Sequence, residues 1–368
     1  MEFQRILIIK PSSLGDIIHT FPVLNALRAR YPKAHLAWFI HEKWADLVEG
    51  HPDLDETIPW SFRWGALGSL IGIFRKKRFD LAVDLQGLFR SGVISYLSGA
   101  PVRVGFKNGR EGSVLFYTHK VDVPQHPIHA IDRYLLVAKS LGAVPRDPVC
   151  TLAISQQDEE VVDALLKRQG LAPSREFIAL NPMARWWTKR WPIQRFAQLA
   201  DLIQGTGTAV VLMGGRDDVA EIKRMQSLMR TSAFSVAGET TLKQLAGLLR
   251  KARLLISNDS GPVHLAVAVG TPVVALFGPT DPLRTGPYRH LSVGARAATQ
   301  DAGPPMPPRP GQSPAKPDAW PPIVHTVIRR TVECSPCLSR WCRVGDHRCM
   351  MEIEVGEVFE AVKKIVNR

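Results

Sequence analysis

The sequence predicts an α/β protein made of two open domains with parallel sheets, and three observations lead there. Short, almost wholly apolar runs recur along both halves of the chain, and each is followed by a stretch of helical periodicity. The runs lack the in/out alternation of a half-solvated sheet, which marks strands covered on both faces by helices. The length, 368 residues, suits two domains of roughly 150 residues or somewhat more.

In the first half the apolar runs fall at residues 5–10, 35–40, 81–86 and 102–106, and in the second at 177–181, 209–213, 234–237, 253–257 and 272–277. Between them lies a helix-like segment, 157–169, edged by Pro148 and Pro173. A boundary near 170 follows, giving domains 1–170 and 171–352. Nine prolines stand in the nineteen residues from Pro304 to Pro322, too many for sheet or helix, so 297–322 reads as an inserted loop. Val358, Val362, Ile365 and Val366 recur at helical spacing, which predicts an amphipathic helix within 353–368 that packs back on a domain.

Composition narrows the function classes. With 45% hydrophobic and 22% charged residues the chain is ordinary globular protein, not a disordered one. Its longest nearly apolar run, Leu265 to Phe277, has 13 residues and falls short of a membrane span. The first ten residues carry acidic Glu2 and only a short apolar run, unlike a signal peptide, so a cytoplasmic protein is expected. A net charge of +13 calls for an anionic partner. Cys334, Cys337, Cys342 and Cys349 fall within sixteen residues, with His347 among them. Buried reduced thiols are the default reading, and structural zinc is the minority one.

Several residues carry chemistry. After the first strand, Ser12, Ser13, Gly15 and Asp16 form a small-residue turn into a helix, so Asp16 falls at the carboxyl edge of a parallel sheet, where such folds bind ligands. The same residues also read as a helix cap. Pro22 means that this helix kinks or properly starts there. Asp259, Ser260, Gly261 and His264 repeat the layout, with helix-start N–H groups suited to a phosphate; a cap with a satisfied histidine is the competing reading. Gly278 to Pro282 makes a second turn on that edge. Lys189 and Arg190, between Trp187 and Trp191, read either as a solvated loop or as cations over a diphosphate, and their strand-to-helix junction favours the latter.

Taken together, residues 10–22, 84–91, 188–192, 259–264 and 278–282 resemble the ADP-heptose lipopolysaccharide heptosyltransferases of glycosyltransferase family 9, their order and spacing matching across almost 270 residues. Residues 129–134 and 138–142, with Arg110, Glu111, Phe116 and Tyr117, look most like the enzymes that add the first heptose to Kdo, whereas the cysteine-rich segment 334–349 is commoner in other members. The resemblance implies the GT-B fold, two Rossmann-like domains facing across a cleft, with acceptor on the first and nucleotide-sugar on the second. It implies inverting transfer, Asp16 as base and Lys189 balancing the leaving diphosphate. Thr188, Asp259, Ser260, Gly261 and His264 would hold that diphosphate, and Met213, Asp218 and Thr240 the adenosine. Ser12, Ser13, Gly15, Arg63, Gln86 and Arg110 would meet the acceptor, Kdo-lipid A or the lipopolysaccharide inner core. Where relatives carry a hydroxyl-bearing turn, this chain has Met183, Ala184, Arg185 and Trp186. No resident metal is implied, though Mg²⁺ can accompany the diphosphate. A peripheral place on the cytoplasmic face of the inner membrane follows, with residues 75–78 (Arg, Lys, Lys, Arg) either contacting lipid or ending a solvated helix.

Three other readings compete. One is another family 9 transferase, adding a second heptose or a different sugar. A nucleic-acid-binding protein would suit the pI of about 9.8 and nine Trp, but no basic-aromatic interleaving or helix-turn-helix supports it. An NAD-dependent oxidoreductase lacks its glycine-rich turn after the first strand.

Overall fold

The computed structural model describes residues 2–61, 67–144, 150, 152–172, 174–288 and 325–367. Arg63 and the proline-rich insertion 297–322 lie outside them.

The first half opens with β1 (Arg5–Ile9), the short helix α1 (Leu14–Ile18), α2 (Phe21–Arg30), β2 (His35–His41) and β3 (Glu56–Trp60). It continues with α3 (Leu67–Lys77), β4 (Leu81–Asp84), α4 (Phe89–Leu97), β5 (Val102–Phe106), β6 (His119–Val121) and α5 (Ala130–Ser140). Pro22 stands in the first turn of α2, where its missing N–H is no loss, so the chain starts a new helix there after a brief break. The six strands are all parallel, in the order β3-β2-β1-β4-β5-β6.

Helix α6 (Gln156–Arg168) leads into the second half: β7 (Phe177–Asn181), α7 (Ile193–Gln204), β8 (Ala209–Leu212), α8 (Val219–Leu228), β9 (Phe234–Ser235) and α9 (Leu242–Lys251). Then come β10 (Leu254–Asn258), α10 (Gly261–Ala268), β11 (Val273–Phe277), α11 (Pro282–Thr285), β12 (Thr326–Arg329), α12 (Arg348–Met351) and α13 (Val355–Val366). Its sheet is again six parallel strands, β12-β11-β10-β7-β8-β9. Helix α6, although it precceds residue 170, packs on α9 of the second half, and α13 packs on α7.

Renumbered within its own half, the second sheet has the same order as the first, the dinucleotide-binding order whose direction of winding reverses beside the first strand. Those switch points lie between β1 and β4 and between β7 and β10. The inner strands are fully buried; Ile6, Leu7, Ile8 and Ile9 of β1 and Val273 to Phe277 of β11 show no exposure. Hydrophobic burial on both faces of each sheet therefore holds the strands, and the turns after β1, β4, β7 and β10 are left to carry polar groups.

Candidate active site

The site is assembled from those four turns. After β1, Asp16 sits in the first turn of α1, and its Oδ2 accepts hydrogen bonds from the N–H (3.2 Å) and hydroxyl (2.8 Å) of Ser13. The cap reading is thus realised, yet the carboxylate is not used up by it. Its Oδ1 accepts a 2.8 Å bond from the Tyr134 hydroxyl of α5 and lies 3.8 Å from Lys10 Nζ, while 38% of the side chain stays exposed. Burial pushes the Asp16 carboxyl up, but the Lys10 charge, the Tyr134 bond, His19 and Ser13 outweigh it and hold the group well below the usual carboxylate range.

After β4, buried Asp84 accepts from the N–H groups of Gln86 (2.8 Å) and Gly87 (3.1 Å) and from the Tyr117 hydroxyl (2.6 Å). Gly87 has φ +67°, so the turn needs its freedom from a side chain. The Gln86 side-chain oxygen is buried without a hydrogen-bond partner among the described residues. Arg110 is exposed beyond β5, its N–H bonded to the Gly87 carbonyl at 2.8 Å, and its charge reaches Lys10 and Tyr134. Arg133, stacked 4.2 Å from the Phe106 ring centre, adds a second guanidinium within electrostatic reach of Asp16.

After β7, Lys189 Nζ pairs with Asp259 Oδ2 at 2.7 Å and lies 4.9 Å from the Trp186 ring centre. Asp259, from the turn after β10, is buried and also accepts from Thr280 at 2.5 Å. The ammonium is therefore already balanced, and an anion entering here must share it. Of the two tryptophans flanking the basic pair, Trp187 is partly exposed, whereas Trp191 is buried core and donates Nε1 to the Ile353 carbonyl at 2.9 Å. Thr188 is buried and its hydroxyl donates to the Ser339 carbonyl at 2.9 Å, so that hydroxyl is engaged with the cysteine-rich segment. Ser260 Oγ accepts from the Asn181 side-chain amide and shares a hydrogen bond with the Ser257 hydroxyl, at 3.0 Å each.

The two halves meet where α1 faces α10. A Cβ on Gly15 would lie 2.4 Å from His264 Cδ2, and one on Gly261 would lie 2.5 Å from Leu14 Cδ2, so both glycines permit this approach. His264 Nδ1 and His19 Nε2 are 3.1 Å apart across the seam, and burial lowers the pKa of both, His264 to about 4. Both rings are neutral near pH 7, and His264 can offer a hydrogen bond there but not a positive charge. His129 Nε2 donates to the Gly286 carbonyl at 3.0 Å, and the Tyr288 hydroxyl to Asp132 at 2.8 Å, closing a second contact between the halves.

The residues expected at the adenosine lie further along the same edge. Asp218 accepts from the Gly215 N–H at 2.8 Å, Met213 is core with 1% exposure, and Thr240 is half-buried just ahead of the α9 cap residue Thr241. Ser12 is half-buried beside Ser13.

The cysteine-rich segment straps the turns after β7 and β11. His347 Nε2 bonds the Thr188 carbonyl at 2.6 Å, the Leu338 N–H donates to the Pro279 carbonyl at 2.9 Å, and the Ser335 hydroxyl to the Gly278 carbonyl at 2.7 Å. Cys334, Cys337, Cys342 and Cys349 line one cavity of about 240 Å³ with Thr188 and His347. All four are free thiols, but Cys334 and Cys337 are exposed and Cys342 is half-buried, so of the four only Cys349 is the buried thiol expected, and burial with the three neighbouring sulfurs pushes it up to about 11. Among the described residues no three histidine, cysteine, aspartate or glutamate side chains are grouped closely enough to hold a metal ion.

Sequence reasoning found Asp16, Lys189, Asp259 and His264 but gave no role to Lys10, His19, Arg133, Tyr134 or Thr280. Lys10, Arg133 and Tyr134 stand inside segments already singled out, so their positions were visible while their mutual contacts were not.

Comparison with known proteins now decides the family. Residues 68–305 match the model for "Glycosyltransferase family 9 (heptosyltransferase)", more than half of the chain. The chain belongs to glycosyltransferase family 9. It is therefore a glycosyltransferase, and its two facing parallel sheets are the GT-B arrangement. Among family 9 relatives, lipopolysaccharide heptosyltransferase 2 of Escherichia coli strain K12 is 30% identical over 310 residues, covering 80% of this chain and 89% of that protein. Lipopolysaccharide heptosyltransferase 1 of Pseudomonas aeruginosa is also 30% identical over 310 residues, covering 79% and 83%. The solved family 9 glycosyltransferase from Veillonella parvula shares the fold, with a TM-score of 0.79 at 24% identity over 100% of this chain and 98% of that one.

Proposed function

We propose that this family 9 enzyme moves heptose from ADP-L-glycero-D-manno-heptose to the Kdo-containing inner core of lipopolysaccharide, with inversion at the anomeric carbon. The observation that carries the reading is Asp16: an ionised, cleft-exposed carboxylate on one half, beside a seam whose other side presents His264 and, behind it, Lys189. In-line displacement needs a base for the acceptor hydroxyl on one face of the sugar and charge balance for departing ADP on the other. Asp16 takes the hydroxyl proton as the new C–O bond forms and the bond to the diphosphate breaks. Lys189 exchanges part of its contact with Asp259 for the phosphate oxygens, with the helix-start N–H groups of α10 and a neutral His264 donating to them. Mg²⁺ can accompany the diphosphate, and no resident cofactor is part of this scheme.

Arg110 and Arg133 lie on the acceptor side and suit the carboxylate and phosphates of Kdo-lipid A, with the buried Gln86 oxygen free to accept from a sugar hydroxyl. The net charge of +13 and exposed Arg75 and Lys76 at the end of α3 favour a peripheral place on the anionic cytoplasmic face of the inner membrane. Among the described residues no helix is long and apolar enough to cross a membrane.

Relatives named heptosyltransferase 1 and heptosyltransferase 2 are both 30% identical to this chain, so the alternative is a family 9 transferase that adds the second heptose or another sugar. Mass spectrometry of products from ADP-heptose with Kdo-lipid A, and in parallel with a core already carrying one heptose, tests both. A mass gain of one heptose on Kdo-lipid A is expected; gain only on the second acceptor transfers the assignment to the alternative, and no gain on either sinks the heptosyl reading.

A further inference from the structure

The strongest unassigned feature is the group that holds the second oxygen of Asp16. Lys10, at the end of β1, is 2% exposed and its Nζ donates to the Leu85 carbonyl at 3.0 Å and to the Tyr134 oxygen at 2.9 Å. An ammonium can only donate, so the Tyr134 oxygen must be the acceptor in that bond. Its own proton is thereby directed to Asp16 Oδ1, 2.8 Å away. Oδ2 is meanwhile tied to Ser13 within the same helical turn. Each carboxylate oxygen has two acceptor positions, so Oδ1 keeps one for an incoming hydroxyl. Tyr134 comes from α5, 118 residues away, and is itself buried against the Phe106 ring, which fixes its direction.

We propose that Tyr134, with its hydroxyl oriented by Lys10, is the positioning residue that aims Asp16 Oδ1 at the acceptor hydroxyl. The inference rests on the assignment of Asp16 as base. The groups whose charge or polarity acts on Asp16 come from every element around it: Lys10 from β1, His19 from α1, Arg133 and Tyr134 from α5, and His264 from α10. Replacing Tyr134 by Phe removes only the hydroxyl and leaves shape and net charge nearly unchanged.

The test compares wild type, Tyr134→Phe, Lys10→Met and Asp16→Ala. Transfer from ADP-heptose to Kdo-lipid A is followed at pH 7.5 for kcat and KM, and the ¹³C resonance of the labelled Asp16 carboxyl, which reports its hydrogen bonds, is read by NMR at the same pH, with Asp16→Asn for assignment. In Tyr134→Phe the Asp16 resonance should move, kcat should fall about tenfold, and KM for ADP-heptose should hold. Lys10→Met, which releases the Tyr134 hydroxyl to turn, should also move the resonance and lower kcat. An unmoved Asp16 resonance or an unchanged kcat in a folded Tyr134→Phe overturns the inference, and if that variant fails to fold the Lys10→Met resonance and kcat decide in the same way. Retained turnover in Asp16→Ala instead overturns the base assignment, a separate failure that the NMR resonance does not share.

Discussion

The two halves of the molecule have the same strand order and put their polar turns at the same switch points, yet they use those turns with opposite charge. In the first half the turn after β1 offers a carboxylate steadied by a lysine and a tyrosine; in the second the turn after β7 offers a lysine steadied by a carboxylate that a threonine holds in turn. Topology fixes where a ligand meets such a sheet, and the side chains of a few turn residues decide which end of a reaction is served there. Each half also balances its functional charge from within itself, so neither needs the other to fold around an unpaired ion.

The largest effect should come from removing the carboxylate. Asp16→Ala should lower transfer by about 10²- to 10⁴-fold while ADP affinity by calorimetry stays unchanged, because its partners belong to the first half. Next in size is Lys189→Met, expected to cut kcat/KM about 10²-fold and also weaken ADP binding. It leaves Asp259 buried without its cation, so a loss of about 3 kcal/mol in denaturant unfolding should accompany it, and Asp259→Asn in the same chain should restore stability but not binding.

The seam gives a smaller effect through pH. His264 is neutral when folded, with its pKa lowered to about 4 from an ordinary 6.5, so the unfolded chain takes up that proton first. Stability is complete above pH 6.5 and is lost as pH falls from there toward 4, by about 3 kcal/mol for this group. Urea melts at pH 7.5 and 4.5 should show the loss, and His264→Gln should flatten it; an equal slope in the variant removes His264 from the account. Smallest is Gly15→Ala, whose methyl meets His264 at 2.4 Å. It should cost about 1–3 kcal/mol of the contact between halves and appear as a larger radius of gyration in X-ray scattering, with each half still folded.

Legibility in the sequence followed burial. The apolar runs at 5–10, 35–40, 81–86 and 102–106, and the five in the second half, all became strands, the inner ones with both faces covered and β9 as a half-buried pair, Phe234 and Ser235, at a sheet edge. The strands left unread are β3, β6 and β12, all at sheet edges. β3 carries Glu56, Thr57 and Pro59, and β6 is only His119, Lys120 and Val121. Edge strands need no second apolar face and take proline and charge freely, so the signal that marks a central strand is missing. At the site, Asp16, Lys189 and Asp259 were legible because each lies in a short turn after a strong strand. The Lys10, Tyr134 and Asp16 group joins residues 118 to 124 apart, and His19 meets His264 across 245 positions, contacts that only the folded chain brings about.

The strap over the turns after β7 and β11 has a consequence for synthesis. Thr188 leans on Ser339 and His347, and Trp191 and Arg195 both bond the Ile353 carbonyl, so residues near 190 are braced by ones more than 150 positions later. While the chain is still on the ribosome, the half carrying Asp16 has every strand of its sheet available, whereas the half carrying Lys189 lacks β12 and its brace. Nascent chains halted before residue 325 should therefore expose a folded front and an unfinished back, a natural target for chaperones.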